Sequence, residues 1–290
     1  MKYTFYPGCA SEGTAVSYHH SALEVAKLLG LEMKEIEDWN CCGSTVTSSV
    51  IGQFAADVLA SRNLALAEKT GPEDVVTTCS SCYAILGNVN KKFNSEHFKA
   101  NANDALSKDS LSYHGGLNVR MLLDVMVSEV GLENIAAKVV KPLKGLKVAG
   151  YVGCQTVRAL REFDNWENPT FLDNIIDTLG AEPVNFSHKL KCCTGAMALS
   201  SPEVTISALY PILKSAHDAG ADLIVTPCPL CQMNLDAYQI KVNKVYGTNY
   251  NLPVLFFTQL MALAFGLDKK KAALEYCIVS PDKALQSLGA

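Results

Sequence analysis

"NCCGS" (residues 40–44) and "KCCTG" (residues 191–195) each set two cysteines side by side, just ahead of small, flexible residues. A disulfide within either pair is disfavoured by geometry. Neighbouring Cα atoms lie about 3.8 Å apart across a trans peptide, whereas bridged cysteines usually want roughly 4.4 to 6.8 Å. The adjacent thiols therefore read as joint ligands.

Working outward from the two pairs, the cysteines fall into two series: Cys9, Cys41, Cys42, Cys79 and Cys82, then Cys154, Cys192, Cys193, Cys228 and Cys231, with Cys277 left over. The first series is C-x31-CC-x36-C-x2-C and the second C-x37-CC-x34-C-x2-C. This is one module written twice. The flanks agree, since "KYTFYPGC" and "KVAGYVGC" both place Lys seven and Tyr three residues before the cysteine, and "EDVVTTCSSC" matches "ADLIVTPCPLC". Two domains follow, 1–142 and 143–290, joined near "KPLKGLK".

The runs "YTFYPG", "DVVTT", "KVAGYVG" and "DLIVTP" are rich in β-branched, aromatic and apolar residues and are expected to be strands, each leading into a cysteine. Helical spacing recurs between them. Phe171, Leu172, Ile175, Ile176 and Leu179 form one apolar face, with Asn168 and Pro169 as cap and first-turn residues and Gly180 as the stop. Ile51, Phe54, Ala55, Val58 and Leu59 are expected to form a similar face after the first pair. Alternating strands and helices imply an α/β fold with a small parallel-type sheet and flanking helices in each half. In such sheets ligands gather at the carboxyl ends of the strands, where these cysteines fall.

At 290 residues, 49% hydrophobic and 19% charged, the chain has the composition of an ordinary soluble globular protein. A net charge of -4, with no basic run longer than Lys269–Lys271, argues against nucleic-acid binding. The longest apolar stretch, "LPVLFFTQLMALAFGL" at 252–267, is 16 residues long and interrupted by Pro253, Thr258 and Gln259, short of the roughly 20 needed to span a bilayer. It is expected to be a buried strand leading into a helix. No export signal precedes Cys9, so a cytoplasmic, reducing compartment is expected, where eleven cysteines point to metal or redox chemistry.

Three kinds of chemistry suit such cysteines. Zinc in a four-cysteine site is saturated by four thiolates, and each module supplies five. A thioredoxin-like pair explains C-x2-C but leaves the adjacent cysteines and the first one unused. An iron–sulfur cluster takes thiolate ligands, although common cubanes use four, and the fifth implies either a bridging thiolate or one released on substrate binding. No G-x-G-x-x-G fingerprint is present, so electrons are expected from another protein.

"YPGC", "CCG", "CSSCY", "CCTG" and "PCPLCQ" together resemble the twin cysteine-rich CCG domains of the heterodisulfide reductase B subunit from methanogens. Related domains occur in subunits of glycolate and lactate oxidases, of a succinate dehydrogenase and of sulfur-oxidiser complexes. This chain departs from the motif at Thr194, where glycine is usual. The resemblance implies reduction of the mixed disulfide of coenzyme M and coenzyme B to two thiols. It further implies one noncubane [4Fe-4S] cluster on Cys9, Cys41, Cys42, Cys79 and Cys82, another on Cys154, Cys192, Cys193, Cys228 and Cys231, and a substrate cleft between them. Implied partners are a subunit with two cubane clusters and a flavin subunit that bifurcates electrons, linked to hydrogenase or formate dehydrogenase. The alternatives are an electron-transfer subunit without its own substrate site, and zinc in one module.

An anionic substrate of this kind calls for cationic groups. Arg158, Arg161, Lys189 and Lys191 lie nearest the ligands in sequence, and each also reads as a solvated surface charge. His188, Tyr6 and Tyr151 are proton-donor candidates, with structural packing as the competing role. His19 and His20 are assigned no role. Anaerobically purified protein is expected to contain iron by metal analysis, and zinc without iron would end the cluster reading for the module concerned.

Overall fold

The computed structural model describes residues 1–44, 47–71, 74–195 and 197–286. Its strands are β1 (Lys2–Tyr6), β2 (Glu32–Glu35), β3 (Val75–Thr77), β4 (Val119–Met121), β5 (Lys147–Gly150), β6 (Glu182–Pro183), β7 (Leu223–Thr226) and β8 (Val254–Phe256). They form two four-stranded sheets of the same order, β2-β1-β3-β4 and β6-β5-β7-β8, with every pairing parallel. The four expected strands are β1, β3, β5 and β7, the central pair of each sheet. Apart from the leading Lys2 and Lys147, their side chains are buried on both faces, as parallel strands covered by helices require. The edge strands β2 (EMKE) and β6 (EP) instead carry charge or proline, which blunts edge-to-edge pairing.

The 252–267 stretch is β8 followed by the helix Phe257–Ala264, as expected. Two local expectations are corrected. The helix Phe171–Thr178 is not capped by Asn168 and Pro169; the Asp164 carboxylate reaches forward to accept the N–H groups of Thr170 (2.9 Å) and Phe171 (2.8 Å). Gly180 does end it, at φ 81°. In the helix Gln53–Thr70 the inward face is Ala56, Ala60, Ser61, Leu64 and Ala67, while Phe54 and Leu59 point outward and Ile51 lies exposed just before it. Small side chains let this helix lie close to its neighbours, and close approach displaced the bulkier residues to the surface.

One apolar core runs through both halves, joining Tyr18, Val25, Leu64 and Leu86 to Val148, Leu172, Val225 and Phe256. Helix Val16–Leu28 packs on helix Phe257–Ala264, where Tyr18 stacks on Phe256 at 4.2 Å and Ser21 Oγ meets Thr258 Oγ1 at 2.7 Å. Such an aromatic pair adds about 1 kcal/mol beyond its buried area. Helix Ser80–Lys92 packs on Gln155–Arg158, and a Cβ at Gly87 would come within 2.3 Å of Leu160 Cδ1.

The C-terminal segment is tied to helix Pro229–Ala237 by Asp236, which is 1% exposed and accepts N–H groups from Ile278 (2.9 Å) and Val279 (3.1 Å). Burial raises this carboxyl to about 6. The folded state thus holds a proton that the unfolded chain has lost, and the stability present below the ordinary carboxylate range is lost as pH rises through 6. Between pH 5 and 7, urea unfolding should show wild type losing about 1 kcal/mol relative to Asp236→Asn. A difference that does not change with pH would contradict this.

Candidate functional site: two facing cysteine nests

All ten repeated cysteines sit at or beyond the carboxyl ends of the strands. Cys9 follows β1 and Cys154 follows β5, each opening a short helical turn, while Cys79 and Cys228 cap the helices Ser80–Lys92 and Pro229–Ala237. The adjacent pairs lie in the loops after β2 and β6. In the first module Cys9 and Cys41 sulfurs are 3.4 Å apart, and so are Cys42 and Cys82. In the second, Cys154–Cys192 is 3.7 Å and Cys193–Cys231 is 3.5 Å. Each nest is graded: Cys42, Cys79, Cys82, Cys193, Cys228 and Cys231 are buried, and Cys9, Cys41 and Cys192 reach the surface.

The two modules solve the same packing problem with the same residues. Gly8 (φ 75°) and Gly153 (φ 73°) precede the first cysteine, and a Cβ on either would stand 3.0 Å from the sulfur of Cys82 or Cys231. Glycine is needed there for both reasons. Tyr6 donates its hydroxyl to the Asn40 carbonyl at 2.7 Å, and Tyr151 donates to the Lys191 carbonyl, so each tyrosine pins the loop that carries its adjacent cysteines. Burial raises the phenol pKa in both, with nearby thiols adding to the effect. Their protons are committed to the backbone.

Thr194 occupies the left-handed conformation (φ 68°) that Gly43 takes in the first module (φ 77°), and its amide faces Cys192 Sγ at 3.3 Å, as Gly43 faces Cys41 Sγ at 3.5 Å. The threonine hydroxyl is held by Thr205 Oγ1 at 2.8 Å. Sequence reasoning missed the asparagines of this region. Asn63 exchanges two 2.9 Å hydrogen bonds with the backbone of Asn40, and Asn234 donates to the carbonyls of Cys193 and Gly195, both at 2.9 Å. A buried asparagine inside an alanine-rich helix face is the signal that could have found the first.

The thiols control one another's protons. Donation from Cys42 and Cys9 holds Cys41 down, whereas Cys9 and Cys42 are pushed up by their contact with Cys41. In the second module Cys154 holds Cys192 down and is itself raised. Cys228 is lowered by Cys231 and Cys79, and Cys79 and Cys231 are raised. Each nest can lose only part of its protons unaided, because thiolates this close repel in a poorly solvated pocket. Metal cations remove that limit, so the donor sets fit iron–sulfur cores.

Cys79 and Cys228 face each other's half across the seam, near enough to shift one another's proton affinity. Beside it lies a cavity of about 260 Å³, walled by Ser44, Ser80 and Ser81 from the first half and by Val152, Cys154, Gln155, Thr156, Cys192, Cys193, Thr194, Gly195, Met197, Cys228, Leu230 and Cys231 from the second. The lining carries thiols, hydroxyls and one amide, and among the described residues its side chains include no carboxylate, imidazole, ammonium or guanidinium. A separate opening of about 770 Å³ exposes Cys9 and Cys41 among Glu12, Glu35, Glu37 and Asp38.

Of the substrate candidates, none reaches the wall of the seam cavity. Lys189 is bound to Asp173 and the Pro169 carbonyl at 2.9 and 2.8 Å. Arg161 is exposed and lies over the Trp166 ring at 4.4 Å. Arg158 and Lys191 are exposed, and His188 Nδ1 meets Ser187 Oγ at 2.8 Å.

A chain with this duplicated α/β fold and two cysteine nests belongs to the family of CCG cysteine-rich domain proteins. The family model matches residues 3–87 and 148–236. The chain is 34% identical over 284 residues, covering 97% of it and 98% of the relative, to the 8-methylmenaquinol:fumarate reductase membrane anchor subunit of Wolinella succinogenes. It is 30% identical, over 91% of the chain and 90% of the relative, to the B subunit of the ferredoxin/F(420)H(2)-dependent CoB-CoM heterodisulfide reductase of Methanosarcina acetivorans. A solved structure of a hypothetical protein from Helicobacter pylori shares the fold, with a TM-score of 0.75 at 15% identity over 96% of this chain; the chain spans about half (52%) of that structure. Among the described residues, no helix is long and apolar enough to cross a membrane.

Gly153→Ala should push Cys231 out of place while leaving the fold intact. Iron content is expected to fall to about half, with an unchanged circular dichroism spectrum; full iron content would contradict the packing role assigned to Gly153.

Proposed function

We propose that the protein is the iron–sulfur subunit of a reductase complex and an oxidoreductase in its own right. Cys9, Cys41, Cys42, Cys79 and Cys82 hold one noncubane [4Fe-4S] cluster, and Cys154, Cys192, Cys193, Cys228 and Cys231 the other, with the modules divided at residues 142 and 143. The single observation that supports this reading is the repeated gathering of five cysteines at the strand ends of each half, with sulfur pairs 3.4 Å apart in one nest and 3.5 and 3.7 Å apart in the other. Five thiols per nest exceed the four that saturate tetrahedral zinc, which weighs against the zinc alternative.

In the first reading the substrate is a small-molecule disulfide, the coenzyme M–coenzyme B heterodisulfide being the one named in the Methanosarcina relative. Splitting it takes two electrons and two protons, and the iron–sulfur centres that these cysteines would hold would supply one-electron chemistry and thiophilic iron. The chain's own part is positional. Gly8 and Gly153 seat the inner sulfurs, Tyr6 and Tyr151 fix the loops, and the hydroxyls of Ser44, Ser80, Ser81 and Thr156 line the path that protons take. Electrons come from a subunit with cubane clusters and a flavin subunit, coupled to hydrogenase or formate dehydrogenase, on the cytoplasmic side.

A second reading is favoured by the uncharged cavity wall and by apolar side chains exposed after each cysteine pair: Val50, Ile51 and Phe54 in one module, Met197, Leu199 and Val204 in the other. Such a site suits a quinone, the carrier class named in the Wolinella relative. Substituting Cys193→Ala is expected to remove the second cluster's spectrum, leave the first largely intact and abolish disulfide reduction. Persistent disulfide reduction would refute the two-centre mechanism, whereas a wild-type complex that reduces a naphthoquinone and ignores disulfides would select the second reading.

A further inference from the structure

The modules differ at the residue after the first cysteine of C-x2-C, which is Ser80 in one and Pro229 in the other. A hydroxyl at this place therefore exists on one side of the seam only. Ser80 Oγ lies 2.7 Å from Thr156 Oγ1, and the two residues are 1% and 0% exposed. Thr156 in turn reaches the Val152 carbonyl at 2.7 Å. Because Thr156 spends its own proton on Val152, the Ser80 hydroxyl donates to Thr156 Oγ1; Cys228, a cysteine of the opposite module, is near enough for Ser80 to help lower its thiol pKa, and Ser80, Thr156 and Cys228 all line the seam cavity. Ser80 thus has one proton and two acceptors, one an oxygen and one a sulfur.

Hydrogen bonds to the sulfurs of an iron–sulfur centre favour its reduced, more negative form. We propose that Ser80 is a positioning residue that sets the second module's reduction potential: its proton turns from Thr156 Oγ1 to Cys228 Sγ when an electron arrives there. Pro229 has no hydroxyl to offer Cys79 in return. The two centres are therefore unequal, and an electron shared between them settles on the second module. This rests on the reading that both nests hold iron–sulfur clusters.

The test is a dithionite titration of the full-length protein followed by electron paramagnetic resonance, with the second module's signal identified as the one lost in Cys193→Ala. Ser80→Ala is expected to lower that centre's midpoint potential by about 59 mV, a roughly tenfold change in the oxidised-to-reduced ratio for a one-electron couple. Thr156→Val leaves the Ser80 proton only the sulfur as acceptor and should hold the potential or raise it. Ser80→Thr, which keeps a hydroxyl, should restore the wild-type value. An exchangeable proton coupled to the reduced centre should be seen by deuterium-exchange ENDOR in wild type and be missing from Ser80→Ala. An unshifted potential in Ser80→Ala, an unchanged proton coupling, or equal lowering in Ser80→Ala and Thr156→Val would overturn the inference. Wild type without iron would overturn both it and the cluster reading, whereas iron-loaded protein with unshifted variants would overturn the inference alone.

Discussion

Cys79 and Cys228 cap two helices on opposite sides of the seam, near enough to shift each other's proton affinity, and the geometry of both halves follows from bringing those helix ends together. Parallel strands present their carboxyl ends on one edge of a sheet, so a loop cysteine after each strand collects there without any strand changing direction. Duplicating the module and turning the two edges toward each other makes one seam from two nests. The stack of Tyr18 on Phe256 and the Ser21–Thr258 hydrogen bond hold that seam from behind, and Tyr18 also donates to the Pro227 carbonyl, immediately before Cys228, at 3.3 Å. Ten thiols crowded into two nests, six of them buried, cannot all ionise without cations. A metal-bearing core held by these cysteines would therefore complete the folded site as well as its chemistry.

The duplication is not a copy in its electrostatics. The first nest opens beside Glu12, Glu35, Glu37 and Asp38, whereas the second opens onto hydroxyls and apolar side chains. Backbone geometry is kept across the same divide, since Thr194 accepts the left-handed turn of Gly43 and compensates through Thr205. Shape is shared between the modules while charge and hydroxyl placement diverge.

Much of this was legible in sequence because it is periodic or local. Cysteine spacing disclosed the repeat, β-branched runs located the four central strands, and Gly180 marked a helix end. Most of the misses come from contacts that no local sequence pattern announces. Asp164 caps a helix from six and seven residues upstream through a loop that no pattern announces, and Lys189, an apparent substrate cation, is consumed by Asp173. Ser80 and Thr156 stand 76 positions apart, and their partnership exists only once the modules face each other. The helix Gln53–Thr70 misled for another reason: its alanines buried better than its larger apolar residues, so the hydrophobic face read from size pointed outward.

The central claim is that the two nests hold centres close enough to act on one bound molecule. Electron paramagnetic resonance of the fully reduced protein tests it most directly, because neighbouring paramagnetic centres split or broaden each other's signals and relax faster together than alone. The account expects an interaction spectrum at full reduction that collapses to an undisturbed single-centre signal when either nest is emptied by mutation. Two signals whose line shapes stay independent when both centres are reduced would contradict it.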